Sequence, residues 1–429
     1  MWYDVQCAIR TGDSVEEIAG LLGSGATTIV VNAANARAAL DTAIYEKRKD
    51  IVSLLLDRGV DINAVERISG TPLAVAASRG VKGIVSLLLD RGADINAVGG
   101  HYGTALNAAA LRGVKDIVSL LLGRGADINA VGGHYGTALA AAASHGVNEM
   151  VSLLLDQGAD INAVGGHYGT ALAAATSYGM KDIVLLLLDR GADINAVGGH
   201  DGTALAAAAT HAKMNIVSLL LDRGADINAV GGRYGTALAT AASRGVEDTV
   251  LLLLDRGADI NAVGDHYGTA LAAAASHGVN EMVSLLLDRG ADINAVGGHY
   301  GTALAAAALL GMKYIVLLLL GRGADINAMG GHYGTALTAA AAAAVPRAKA
   351  DIVVWFHDIV SLLLDRGADI NAVGGHYGTA LAAAASREKT DVVLMLLDRG
   401  ANLNPLLPRS PFSIHTIHWA RFRVMCRSL

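Results

Sequence analysis

Cysteine is nearly absent from this chain: Cys7 and Cys426 stand at opposite ends of 429 residues. They make no disulfide framework, which fits a reducing compartment, the cytoplasm or the nucleus. Proline is almost as scarce, at Pro72, Pro346, Pro405, Pro408 and Pro411. Hydrophobic residues make up 53% of the chain, yet no apolar run is long enough for a transmembrane helix, and no membrane association is expected. Residues 1–20 lack the basic and apolar regions of a signal peptide. There is no basic stripe and the formal net charge is −6, so nucleic acid is not expected as a partner. A catalytic residue should be a singular event in a repetitive chain, and no isolated Ser, His and Asp set stands out. The segment GGHYG resembles part of a phosphate loop, but it precedes no Lys and recurs in nearly every repeat. Neither an enzyme nor a cofactor is expected.

What is present is repetition. HYGTAL begins at His101, His134, His167, His266, His299, His332 and His376, and GADINA recurs from Gly92 to Gly367. Each step is 33 residues or a multiple of it, except the last step of each series, which is 44. Length alone suggests two or three domains, but a fixed period of this size overrides that prior.

One repeat shows the local logic. Gly136 allows a turn, Thr137 is placed as a helix N-cap, and Ala138–Ala143 are strong helix formers. Gly146 should end this short helix in the left-handed conformation. Val147, Met150, Val151, Leu154 and Leu155 then form one apolar stripe of a second helix, which Gly158 stops. Asp160–Gly166 should form a hairpin-like finger. One such pair cannot bury its own apolar surface, whereas stacked copies can. The expectation is an all-α repeat solenoid of about 12 stacked helix-turn-helix units.

The Thr-x-Leu start, the helix pair, the GAD-x-N-A segment and the 33-residue period resemble the ankyrin repeat. Thr71-Pro72-Leu73 comes closest to the family's TPLH signature. The signature His is replaced by Ala74, Asn107, Ala140 and their equivalents, so its usual hydrogen bonds are in question. The GGHYGTAL style is similar to fungal multidomain arrays, some of which carry a NACHT-type nucleotide-binding module ahead of the repeats.

The repeat region should span 1–404. Residues 1–66 form two divergent units, with Cys7-Ala8-Ile9 beginning the first helix and Val15, Ile18, Leu21 and Leu22 forming the next stripe. Regular units start near Gly70 and repeat to Gly301. The unit from Gly334 carries an 11-residue insertion near 344–357, expected as a loop or a protrusion with Trp355 and Phe356, before its second helix resumes at about Asp358. The non-repeating tail, 405–429, suits a capping helix. Ala212 and Glu388 stand where other units have Gly, which predicts local softening or a rearranged turn, at roughly 1–2 kcal/mol per left-handed residue.

Eight histidines share one finger position: His101, His134, His167, His200, His266, His299, His332 and His376. Stacked helices lie roughly 8–10 Å apart, so successive fingers should be at least that far apart and unable to share a metal ion, whose ligands lie about 2.1 Å from it. Charges about 10 Å apart in water repel by only ~0.4 kcal/mol, which argues against a pH switch. No metal site is expected, including at His415, His418 and Cys426.

Comparing repeats within the chain separates framework from freedom. The pair ending the first helix varies most, and its second member runs Arg79, Arg112, His145, Tyr178, His211, Arg244, His277, Leu310 and Arg387. In ankyrin-like arrays the matching pair faces the concave groove, and Arg and Tyr suit interaction hot spots. A second strip runs along the fingers: Tyr102, Tyr135, Tyr168, Asp201, Arg233, Tyr234, Tyr267, Tyr300, Tyr333 and Tyr377. The near-uniform tyrosines suggest packing between fingers; Asp201 and Arg233 break the pattern mid-chain. The resemblance implies a cytoplasmic scaffold binding one or more proteins through the groove. The rival readings are the sensor arm of a larger nucleotide-switching protein and a structural spacer.

Overall fold

The structure is a computed structural model that describes residues 2–22, 33–343 and 350–402. It divides into two compact units, Met1–His200 and Asp201–Leu429. Unit 1 contains α1 (Trp2–Thr11), α2 (Val15–Leu22), α3 (Ala33–Tyr45), α4 (Lys49–Asp57), α5 (Pro72–Ser78), α6 (Lys82–Asp90), α7 (Ala105–Leu111), α8 (Lys115–Gly123), α9 (Ala138–Ser144), α10 (Asn148–Asp156), α11 (Ala171–Tyr178) and α12 (Lys181–Asp189). Unit 2 contains α13 (Ala204–Thr210), α14 (Met214–Asp222), α15 (Ala237–Arg244), α16 (Glu247–Asp255), α17 (Ala270–His277), α18 (Asn280–Asp288), α19 (Ala303–Leu309), α20 (Lys313–Gly321), α21 (Ala336–Ala342), α22 (Ala350–Asp365), α23 (Ala380–Ser386) and α24 (Thr390–Asp398). Among the described residues there is no sheet, only isolated antiparallel bridges within the fingers. Each unit is thus an all-α solenoid of helix pairs, as the repeat period implies.

The first helix of each regular pair is built for close approach. Thr137 Oγ1 accepts from Ala140 N at 3.1 Å, an N-cap worth about 1 kcal/mol. Every residue of α9 is buried. Because most are Ala, α5, α7, α9 and α11 pack directly on one another, as do α13, α15, α17, α19, α21 and α23 in unit 2. The second helices bury a narrower stripe. In α10, Met150, Val151 and Leu154 are buried, while Leu155 is only partly so. Gly146, between the two helices, has φ +74°, and a Cβ there would sit 3.0 Å from the sulfur of Met180 in the next pair. The turn and the neighbour therefore both favour glycine.

Two side-chain ladders join successive pairs. Asp160 Oδ1 accepts from the Asn162 amide at 2.9 Å, and Asn162 Oδ1 accepts from the Asp193 amide of the next repeat at 2.8 Å. The same pair of bonds recurs at Asn96 and Asp127, and at Asn261 and Asp292. On the second helices, Arg91 pairs with Asp57 at 2.7 Å and Arg124 with Asp90 at 3.0 Å. Where Gly123 removes the acid, Gln157 has replaced the arginine one repeat later. These exposed pairs each contribute little, about 0–1 kcal/mol, and the loss is not always matched: Gly321 also removes the acid, yet Arg366 is kept one repeat later.

Several expectations need correction. The finger closes at Gly165–Gly169, through an antiparallel bridge, rather than over Asp160–Gly166. Asp160 and Asn162 are instead committed to the turn and the ladder just described. α1 begins at Trp2, ahead of Cys7, and Leu21 is exposed. α22 begins at Ala350 rather than near Asp358, so the later part of the insertion extends the second helix. Pro346, the Trp355 and Phe356 side chains, and the tail 405–429 lie outside the described residues.

The missing signature His is partly replaced. Buried Asn107 donates through Nδ2 to Gly136 O at 2.9 Å and Gly132 O at 3.2 Å, tying α7 to the next finger. Asp41, at the same repeat position, accepts from Ser69 Oγ at 3.2 Å. Arg37, one turn earlier on α3, donates to Gly70 O at 3.1 Å and also to Ala64 O. Ala140 and its equivalents make no such bond.

Ala212 and Glu388 keep the left-handed turn, with φ +53° and +57°, and Lys47 does the same at +59°. The turn is not rearranged, so the strain is borne by the backbone. Ala212→Gly is expected to stabilise unit 2 by about 1 kcal/mol and to slow amide exchange at the C-terminal end of α13. Unchanged exchange would show that the residue carries no strain.

Candidate interaction surface

The fingers of each unit are joined edge to edge by backbone hydrogen bonds. In unit 1, His101 N donates to Ile68 O, His134 N to His101 O, His167 N to His134 O and His200 N to His167 O, at 2.7–2.9 Å. In unit 2 the ladder runs from His266 through His299 and His332 to His376. Paired glycines make this nesting feasible. A Cβ on Gly133 would lie 2.3 Å from Gly103 N of the preceding finger.

This nesting overturns the expected spacing. The imidazoles of His101, His134, His167 and His200 stack at centroid separations of 4.9, 5.0 and 5.1 Å. Those of His266, His299, His332 and His376 stack at 5.4, 4.8 and 4.7 Å. The fingers follow the spacing of hydrogen-bonded strands, about 4.8 Å, not that of packed helices. Repulsion between charged imidazoles at this separation is about twice that at 10 Å. The stacked rings lie within 11–22° of parallel. Among the described residues no three His, Cys, Asp or Glu converge on a point; His415, His418 and Cys426 lie outside them. Also among the described residues, no helix is long and apolar enough to cross a membrane.

Within each unit the two strips expected from the sequence lie side by side. In seven repeats the finger residue meets the groove residue ten positions later. Arg112 Nη2 lies 3.5 Å from Tyr102 OH, the His145 ring 5.7 Å from that of Tyr135, and the Tyr178 hydroxyl 2.7 Å from that of Tyr168. His211 Nε2 approaches Asp201 Oδ2 at 3.8 Å, the Arg244 guanidinium sits 5.6 Å from the centre of the Tyr234 ring, and the His277 ring lies 5.0 Å from that of Tyr267. Arg387 Nη2 donates to Tyr377 OH at 2.8 Å. Arg79, whose own finger carries Ser69 instead of Tyr, lies over the ring of Tyr45 at 3.2 Å. Leu310 brings an exposed aliphatic side chain to this position instead.

The tyrosines have a second function. Tyr135, Tyr234 and Tyr267 are buried, and the rings of Tyr234 and Tyr267 stack at 5.0 Å, as do those of Tyr333 and Tyr377 at 6.0 Å. Burial pushes the Tyr135 phenol up to about 12, with its tyrosine neighbours adding to the effect. Tyr300 and Tyr333 are raised for the same reason. The aromatic ladder therefore packs the fingers and also carries the variable residues.

Asp265 was not recognised from sequence, although it replaces the second glycine of a finger pair. Its counterparts Gly298 and Gly331 have φ +65° and +63°, whereas Asp265 does not adopt a positive φ. Its finger keeps the Gly264 N to Gly268 O bond, but Arg233 lies over the Tyr267 ring at 5.8 Å instead of joining a histidine stack. Lys389 was missed too. It occupies the position held by Val147 or Met180 in other repeats, and burial, with the Arg387 charge, pushes its ammonium down to about 8.

Within each unit, helix pairs stacked through alanine and fingers joined by backbone hydrogen bonds define a helical repeat protein. The family model described as ankyrin repeats (3 copies) matches residues 43–132, 131–198, 196–264 and 263–330. The chain belongs to the ankyrin-repeat family, whose repeats are generally protein–protein interaction modules. No curated protein matches it.

The histidine stacks make stability depend on pH. Burial first, and then the charges of neighbouring imidazoles, hold His134, His266 and His332 below their ordinary value of 6.5; Arg233 adds to the effect at His266 and Arg387 at His332. As pH falls below 6.5 the unfolded chain takes up these protons before the folded one. The stabilisation is therefore complete above about pH 6.5 and is lost as pH drops through the folded values. Thermal unfolding at pH 7.5 and 5.0 is expected to show a lower midpoint at pH 5.0. That difference should shrink in a chain carrying His134→Gln, His266→Gln and His332→Gln.

Proposed function

We propose that the chain is a non-catalytic, cytoplasmic scaffold that binds protein partners along the strip where groove residues meet finger tyrosines. The observation that carries this reading is the pairing itself. In six repeats between Arg112 and Arg387 a finger tyrosine presents a varying Arg, His or Tyr at the same place. Aromatic rings offer apolar area at low entropic cost, and guanidinium groups lying on them keep their N–H edges available. Such a surface supports recognition by shape and polar contact, with the framework held separately by the alanine helices.

The reading is tested by converting Arg79, Arg112, Arg244 and Arg387 to Ala together. Proteins retained from native cytosol by the wild-type chain are expected to be lost, or held at least tenfold more weakly, by the variant. The helical circular dichroism and thermal midpoint should stay near wild type. Partners retained equally by both chains would defeat the assignment of this strip.

A further inference from the structure

Resting on that reading, we propose that the cleft formed by Tyr45, Arg79, Tyr102 and Arg112 in unit 1 binds a Glu or Asp side chain in an acidic segment of a partner protein. The cleft has a volume of about 520 Å³. The Arg79 guanidinium lies over the Tyr45 ring at 3.2 Å, and Arg112 Nη2 lies 3.5 Å from Tyr102 OH. Both cations line the same cleft, together with His101. Among the described residues neither arginine is paired with a carboxylate. The one acid in the lining, Asp41, is taken up by Arg37 at 2.8 Å and by Ser69 at 3.2 Å.

Two guanidinium groups facing one space without a counter-ion repel each other. Burial, with the Arg112 charge beside it, holds the Arg79 guanidinium below its ordinary range. A carboxylate between them removes that repulsion and gains charge-assisted hydrogen bonds, with the fork geometry that arginine offers to planar anions. The ring of Tyr45 fixes the plane of Arg79 before any ligand arrives, so little ordering cost remains. Ile68, exposed at 75%, and Val75 line the same cleft, which suits an apolar residue beside the acid. The chain as a whole carries a formal charge of −6, so an extended polyanion such as nucleic acid is repelled outside this spot. The occupant that fits is a short peptide segment mixing Glu with apolar residues.

The test uses the full chain and a fluorescein-labelled peptide of alternating Glu and Leu, with a peptide of alternating Gln and Leu as control, followed by fluorescence polarisation. The Glu peptide is expected to bind at least tenfold more tightly than the Gln peptide and to weaken as salt rises. Arg79→Ala with Arg112→Ala should weaken it at least tenfold, whereas Arg289→Ala with Arg366→Ala, which removes as much charge from exposed positions outside the strip, should change it less than twofold. Arg79→Lys with Arg112→Lys, which keeps the charge but not the fork, should fall between the two and guards against loss of folding. Equal affinity for both peptides would overturn the site. So would equal weakening by the two Ala pairs, or displacement of the peptide by an equimolar amount of inorganic phosphate. A chain that ignores the acidic peptide yet loses cytosolic partners on substitution of all four strip arginines refutes this cleft and leaves the wider strip standing.

Discussion

Everything in this protein depends on how closely one repeat can approach the next. Alanine on the first helices and glycine in the fingers remove the side chains that would hold neighbours apart. The result is contact at two levels. Helices pack through methyl groups, with α9 wholly buried between its neighbours, and fingers join through backbone hydrogen bonds at strand-like spacing. No single pair has enough apolar surface to be stable alone, so burial between neighbours is the source of order. The Asn and Arg–Asp ladders also join successive repeats but add little energy.

The surface follows from the same constraint. Because the fingers nest, their tyrosines and histidines form stacks, and most of the tyrosines end up beside the residue that closes their own first helix. Framework and proposed recognition therefore use different atoms of the same side chains. The ring packs against its neighbours while the hydroxyl or the face of the ring positions an Arg, His or Tyr. On the proposed reading, variation at the groove position alters what the surface binds without altering how the repeats stack. Asp265 marks the exception, where a side chain at a glycine position interrupts the finger edge and leaves Arg233 over Tyr267.

Much of this was legible in the sequence because it is local. The 33-residue period, the Thr137 cap, the left-handed Gly146 and even the strain at Ala212 are properties of one repeat and its copies. Distances between repeats were not legible. The spacing of packed helices was applied to the fingers, and it hid the histidine stacks, because nothing within GGHYG says whether its backbone pairs with the next copy. The adjacency of the two strips was hidden for a related reason: Tyr102 and Arg112 are ten residues apart, on a finger and a helix end whose relative placement is tertiary. The substitutes for the signature His, Asn107 and Asp41, looked like loss of a bond until the acceptors and donors on the next finger were visible.

The central claim, that nested fingers hold the surface in place, can be tested by comparing two glycines. Gly133 and Gly158 both have positive φ, +68° and +90°, so alanine at either meets the same backbone cost of roughly 1–2 kcal/mol. Only at Gly133 would the new methyl strike the preceding finger; at Gly158 nothing lies within 4 Å. Residue-resolved hydrogen exchange at the His134 and His167 amides is the direct measurement. The account predicts markedly faster exchange there in Gly133→Ala and near wild-type exchange in Gly158→Ala. Equal exchange in the two variants would contradict it.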